Sequence, residues 1–391
     1  MKPTLNTVAC LAVLASASSA ATPPPLATEA TADQSPVDPE IPVALLVDLS
    51  TGQTLFSREP DRRFVPASVT KVMSVYTAFD LVDRGKLSLD QVVTIDKEVA
   101  DDWGGKGSTL FLKQGDQLTV GQLLLGITTV SANDGAVALA KTAAGSLDNW
   151  VALMNDNAAK LGMHDSHFGL PNGYMDEGRT YTSARDLIRL AEALTTRFPD
   201  LYKRFIGHPG LSFHGIAQNN HDPITGVVPG ADGIKTGFTE QAGYNFLGSA
   251  ERGGRRLAMV IAGAPTPAFR TRSARRLIEW GFDNFASHEL LPPGSKVGRA
   301  TVQDGSSTSV PLLTEEAVFA NLPVGHSGNA KLSVRYRGPI EAPIRKGAEI
   351  ATLRIAIAGQ EPHDVPLVAA VDVGRANAWQ RLRNGLEGLF E

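Results

Sequence analysis

Hydrophobic positions change period twice along the chain. The run Val43-Ala-Leu-Leu-Val-Asp-Leu49 is almost wholly apolar and closes on Ser50-Thr51-Gly52, which predicts a buried strand opening a hairpin. Over 66–83 the spacing becomes helical and apolar on nearly every side, through Val69, Val72, Met73, Val75, Tyr76, Phe79, Leu81 and Val82. Such a helix belongs inside a domain rather than on its surface. Further helical patterns fill 120–126, 134–144, 147–161 and 183–196. The period then returns to that of strands at 231–238, 243–251 and 255–263, and Arg252-Gly253-Gly254 suits an antiparallel hairpin between the last two. A helix over 266–285 closes this region. After Pro292-Pro293-Gly294 come short β-branched runs at 309–313, 331–337, 349–357 and 365–371. The pattern predicts an α+β domain over 43–286, with an antiparallel sheet flanked by helices, and a small all-β domain over 290–373.

The two ends read differently. Residues 1–20 join Lys2 to a short apolar run and end in Ser18-Ser19-Ala20, the layout of an export signal. Residues 21–42 carry six prolines among Ala, Thr, Asp and Glu and read as a stiff, exposed linker. Residues 375–391 place Trp379, Leu382, Leu386, Leu389 and Phe390 on one helical face, an amphipathic tail suited to lying on a membrane surface or on the β-domain. No segment reaches the ~18 consecutive apolar residues of a membrane span.

Composition narrows the chemistry. The 391 residues carry 37 Lys+Arg against 41 Asp+Glu, so the basic footprint of a nucleic-acid binder is missing. The one cysteine, Cys10, lies in the export segment, which leaves no disulfide framework, thiol nucleophile or cysteine metal site in the processed chain. His164 and His167 are spaced like metal ligands but have no third partner, so no metal is assigned.

Three short motifs carry what remains. In Ser68-x-x-Lys71 the residues share a helix face, so an amine stands one turn from a hydroxyl. A buried amine beside a second cation loses basicity and can take the hydroxyl proton. Ser131-Ala-Asn133 sits in a loop before a helix and reads equally as an N-cap cluster. A similar Ser327-Gly-Asn329 in the β-region reads as a turn. Lys235-Thr236-Gly237 projects a cation and a hydroxyl from a strand whose edge an extended peptide can join, and Gly237 permits close backbone approach.

In this order the three motifs resemble the set found in penicillin-binding proteins and class A β-lactamases. With Ala242-Gly-Tyr-Asn245, the 181–186 stretch Tyr-Thr-Ser-Ala-Arg-Asp and Glu279-Trp-Gly-Phe282, the chain from about 42 to 285 resembles the low-molecular-mass penicillin-binding proteins, the serine-type D-alanyl-D-alanine carboxypeptidases. The β-domain and tail fit that layout. The resemblance implies a transpeptidase-like, β-lactamase-like catalytic fold. It implies Ser68 as acylated nucleophile, Lys71 as its base, Ser131 as proton relay to the leaving amine and Asn133 as a substrate-orienting group. It implies Lys235 as a source of positive potential, Thr236, with Gly237 beside it, and Arg270 as contacts for the substrate and its terminal carboxylate, and the N–H groups of Ser68 and Phe238 as the oxyanion hole.

The implied activity is removal of the terminal D-alanine from peptidoglycan stem peptides in the periplasm, without cofactor, and inhibited by β-lactams. D,D-endopeptidase and β-lactamase activity on the same scaffold, and a non-catalytic wall-binding protein, are the alternatives. A β-lactamase is disfavoured because no convincing Glu-x-x-x-Asn lies in 149–232.

Overall fold

The first described element is a strand, β1 (Leu5–Leu11), and the computed structural model describes residues 5–11, 35–325, 330–377 and 379–380. Residues 1–4 and 12–20 of the expected export segment, 21–34 of the expected linker, Ser327-Gly-Asn329 and the tail beyond Gln380 lie outside the described residues. Two units divide them: one holds 35–50 and 55–281, the other 5–11, 51–54 and 282 onward.

In the first unit the expected buried run is β2 (Val43–Asp48), with all six residues buried, and β3 (Gln53–Arg58) completes its hairpin. Sheet order is β3-β2-β10-β9-β8, with β8 (Ala231–Thr239), β9 (Gly243–Arg252) and β10 (Arg255–Ala264) paired antiparallel. β2 and β10 are central and covered on both faces, so they read as continuous apolar runs rather than alternating ones. β8 is an edge strand.

The buried helix is α1 (Lys71–Asp83), and its start differs from expectation. Ala67–Thr70 is a separate 3₁₀ turn. Eclipsed i, i+3 side chains keep Ser68 and Lys71 together in that geometry as well, so the motif survives the change. Around α1 stand α3 (Val120–Thr129), α4 (Asn133–Ala144), α5 (Leu147–Lys160) and α6 (Ala184–Arg197).

Local chemistry fixes their ends. Thr119 and Gln122 form a capping box at α3. Ser146 and Ser183 cap α5 and α6, and Gly145 ends α4 in the left-handed region. Shorter elements unrecognised in the sequence are α2 (Lys97–Trp103), the ribbon of β4 (Val92–Thr94) with β5 (Gln117–Thr119), α7 (Pro199–Phe205) and the ribbon of β6 (Gly210–Phe213) with β7 (Ile216–Asn219). The unit ends in α8, Pro267–Asn284.

The linker reading fails for 35–42. Val37 and Ile41 are fully buried, Arg58 donates to the Asp38 and Ile41 carbonyls, and Ser273 donates to Asp38. The prolines announced an extended segment, but two lone apolar residues between them fasten it to the domain.

The second unit is all-β. Its larger sheet has the order β1-β15-β17-β18-β13-β12-β16. The strands are β12 (Lys296–Gln303), β13 (Ser309–Leu313), β15 (Lys331–Arg337), β16 (Ile340–Glu341), β17 (Glu349–Ala356) and β18 (His363–Ala369). A separate pair joins β11 (Phe285–Leu291) to β14 (Val318–Pro323). Val310, Leu312, Leu353, Ile355 and Leu367 lie in its core. The β-character was legible, but β11, β12, β14 and β16 were missed because their exposed positions dilute the alternation.

At the end of β2, Asp48 is fully buried and paired with Arg255 at 2.5 Å. Replacing Asp48 by Ala takes the carboxylate from that guanidinium, which also donates to Gly281 O at 3.3 Å. The expected loss is about 3–5 kcal/mol in urea unfolding followed by tryptophan fluorescence; an unchanged midpoint refutes it.

Candidate active site

The site forms where the 3₁₀ turn, the α3–α4 loop and β8 converge. A cavity of about 480 Å³ is lined by Ser68, Ser131, Asn133, Thr236, Gly237, Phe238 and Arg270, together with Gly107, Ser108, Tyr174 and His221. Seven of the nine residues singled out in the sequence thus share one cleft. The other two, Lys71 and Lys235, are buried nearby, the first at 0% exposure and the second at 5%.

Lys71 is the centre of the hydrogen bonding. Its Nζ donates to Ser68 Oγ at 2.8 Å, to Asn133 Oδ1 at 2.7 Å and to the Asn172 carbonyl at 2.7 Å. Burial first, and then the charge of Lys235, hold its pKa well below the usual lysine range, while Asp134 opposes them. Lys235 donates to its neighbour's carbonyl, Thr236 O, at 2.9 Å. Burial and then Arg270 lower its pKa to about 7, against Asp222. Arg270 lies on α8, donates to His221 O at 3.3 Å, and stands 5.9 Å from the Tyr244 ring. Its buried Nε has no hydrogen-bond partner among the described residues. His221, pressed by burial, Lys235 and Arg270, has a lowered pKa.

Ser131 occupies the left-handed region at φ 64°, as does Ala67 at φ 50°, each beside a motif. Such conformations cost roughly 1–3 kcal/mol and persist where the surroundings impose them. The N-cap alternative for the second motif does not hold, because the cap residue of α4 is Ala132 and no side chain caps it. Asn133 instead bridges. Its side chain accepts from Lys71 and donates to Lys106 O at 2.7 Å, while its backbone N–H donates to Ser108 O at 2.8 Å.

Several contributors escaped the sequence reading. Asp134, fully buried, accepts from the N–H groups of Leu110, Leu112 and Gly135 at 3.0, 3.1 and 2.8 Å, which clamps the 106–112 loop to the second motif. The 171–174 turn lies over the nucleophile turn. A Cβ on Gly173, at φ 67°, would stand 1.9 Å from Ala67 O. Trp150 Nε1 donates to Ser74 Oγ at 3.3 Å, and Ser74 donates to Pro171 O at 2.6 Å, so α5 and α1 jointly hold the turn whose Asn172 carbonyl meets Lys71. The Pro-Asn-Gly turn signature was the one available signal, because the working atom is backbone.

The model of the family described as D-alanyl-D-alanine carboxypeptidase matches residues 29–266, and that of the penicillin-binding protein 5 C-terminal domain matches 285–375. The D-alanyl-D-alanine carboxypeptidase DacD of Salmonella typhimurium is 34% identical over 343 residues, 86% of this chain and 87% of its own. Penicillin-binding protein 5 of Haemophilus influenzae is similar in structure, with TM-score 0.74 and 30% identity over 91% of this chain and all of its own. Penicillin-binding protein D2 of Listeria monocytogenes, solved in an ampicillin-bound form, aligns with TM-score 0.56 and 28% identity over 62% of this chain and 98% of its own.

Gly237 sets the spacing of the cleft. A Cβ there would lie 2.4 Å from Pro66 O and 3.1 Å from Ser68 N. Gly237→Ala is therefore expected to push β8 from the nucleophile turn and slow acylation by benzylpenicillin on the order of 100-fold. Stopped-flow acylation at the wild-type rate would show that the contact is slack.

Proposed function

We propose how the residues divide the work in a chain that belongs to the D-alanyl-D-alanine carboxypeptidase family, a group of serine peptidases. Ser68 attacks the carbonyl between the last two D-alanines of a peptidoglycan stem peptide. The observation that carries this reading is the buried Lys71 amine 2.8 Å from Ser68 Oγ. A neutral amine has two N–H donors and one lone pair. With its two donors on Asn133 Oδ1 and Asn172 O, its lone pair faces the Ser68 hydroxyl. The Ser68 proton passes to Lys71 as the oxygen bonds to the carbonyl carbon.

The oxyanion rests on the N–H groups of Ser68 and Phe238. The C–N bond then breaks as Lys71 returns its proton through Ser131 to the departing D-alanine amine. Water hydrolyses the Ser68 ester and restores the hydroxyl. Asn133 orients the substrate amide. Lys235, Thr236 and Arg270 attract the terminal carboxylate, and the free Arg270 Nε donor supports that role.

A β-lactam offers the same carbonyl, but its leaving nitrogen stays tethered after ring opening. The ampicillin-bound relative supports this extension. The export-signal pattern of 1–20 supports action in the periplasm, and the amphipathic pattern of 375–391 supports contact with a membrane surface. No helix among the described residues is long and apolar enough to cross a membrane.

Ser68→Ala is expected to abolish the covalent benzylpenicillin adduct seen by intact mass, with the circular dichroism spectrum retained. An adduct on the variant removes Ser68 from the mechanism.

The pH dependence has two limbs. Lys71 works neutral, so kcat/KM rises as pH climbs through its depressed pKa. Lys235 works charged, so kcat/KM falls as pH climbs past about 7. Lys235→Arg keeps the charge and is expected to move the alkaline limb upward, read from D-alanine release between about pH 5 and 10. A limb that stays in place assigns it to another group.

A further inference from the structure

One end of the larger sheet in the all-β unit is β15 with β1 laid against it, antiparallel, Leu5 opposite Arg337 and Leu11 opposite Leu332. β1 lies inside the expected export segment. Once 1–20 is cut away, β15 becomes the edge strand, and one row of its backbone N–H and C=O groups loses its partners.

The alternation of β15 divides it into two faces. Leu332, Val334 and Tyr336 are buried, while Lys331, Ser333, Arg335 and Arg337 belong to the other face. The three cations make no ion pair among the described residues, and the buried Nε of Arg335 has no hydrogen-bond partner there. A cavity of about 580 Å³ is lined by Arg335, Arg337, Ile350 and Thr352, with Glu349 and Asp364 as its acids. Asp364 is engaged by Arg354 at 3.7 Å. Cations therefore outnumber free acids along this edge.

The charges select among occupants. A second copy pairing its own β15 here in antiparallel register would set cations opposite cations, which is unfavourable across strands. A strand with carboxylates at alternate positions meets them instead. The register of β1 locates those positions, since residues 5 and 7 fall opposite Arg337 and Arg335. We propose that the processed protein uses β15 as a docking edge for an extended segment of a partner protein with acidic residues at two alternate positions. Backbone pairing holds the segment, and the two guanidiniums choose it. The proposal rests on the export reading of 1–20 and on none of the acyl chemistry.

The test uses the protein without residues 1–20 and fluorescent peptides of the 5–11 sequence with Cys10→Ser. One form carries Leu5→Glu and Thr7→Glu, the other Leu5→Lys and Thr7→Lys. Anisotropy is expected to show the Glu form binding about tenfold tighter than the Lys form. Arg337→Glu is expected to erase most of that difference while keeping the thermal midpoint, because Arg337 is exposed. N-methylation separates strand pairing from attraction between charges. Of the alternate amides, 5 and 7 or 6 and 8, one set faces β15 and the other faces away. Methylating the first is expected to abolish binding and methylating the second to spare it.

Equal binding of the Glu and Lys forms, the same response to both methylated sets, or no binding up to about 1 mM protein overturns the docking edge. Phosphatidylglycerol vesicles held by the processed protein and released by Arg337→Glu, with no peptide bound, assign the cations to a lipid surface and overturn it as well. Intact mass of the exported protein tests the premise separately: retention of 1–20 keeps β1 on the edge and overturns the export reading, whatever the peptides do.

Discussion

The burial of one amine organises this catalytic unit. Lys71 has no exposed surface, and a charged group in that position loses far more hydration than ordinary packing returns. Its surroundings offset the loss with acceptors rather than with an acid in direct contact: a hydroxyl, an amide oxygen and a backbone carbonyl. Each comes from a different segment, so the 3₁₀ turn, the start of α4 and the 171–174 turn have to converge. The fixed left-handed backbone at Ala67 and Ser131 and the contact of Gly173 with Ala67 follow from the same requirement. An amine that is hard to keep protonated is also one poised to accept a proton.

The second constraint is an excess of positive charge. Lys71, Lys235 and Arg270 crowd one cleft, while Asp134 and Asp222 oppose them incompletely. Lys235 depresses the pKa of Lys71 and Arg270 that of Lys235, so the cleft carries a positive charge that an incoming carboxylate relieves. Binding of an anion and tuning of the base are therefore one effect. Asp134 belongs to this balance as well as to the architecture: it holds the 106–112 loop by the N–H groups of Leu110 and Leu112 while biasing Lys71 toward its charged form.

The sequence was informative where chemistry depends on side chains at fixed spacing. Ser68 and Lys71 were readable because i, i+3 neighbours meet in either helix type, although that same degeneracy concealed the 3₁₀ turn. Lys235-Thr-Gly was readable only through its order after Ser68-x-x-Lys71 and Ser131-x-Asn133, since a strand-end lysine by itself is ordinary. Asn172 was not, since its carbonyl does the work and any residue supplies one. Asp134 was hidden beside Asn133, where it looked like an ordinary first-turn acid. In the fold, β2, β8, β9 and β10 were evident from their apolar density. The short ribbons β4–β5 and β6–β7 were not, and 35–42 misled because proline content says that a segment is extended, not whether it is covered.

β8 leaves one edge of the catalytic sheet open, and the nucleophile turn packs so closely on it that Gly237 has no room for a methyl group. Such an edge suits an extended chain end laid along it. A folded protein keeps its backbone paired and cannot feed a free strand into it. The shape of the cleft thus favours chain ends that are extended and unpaired over backbone already held in a fold.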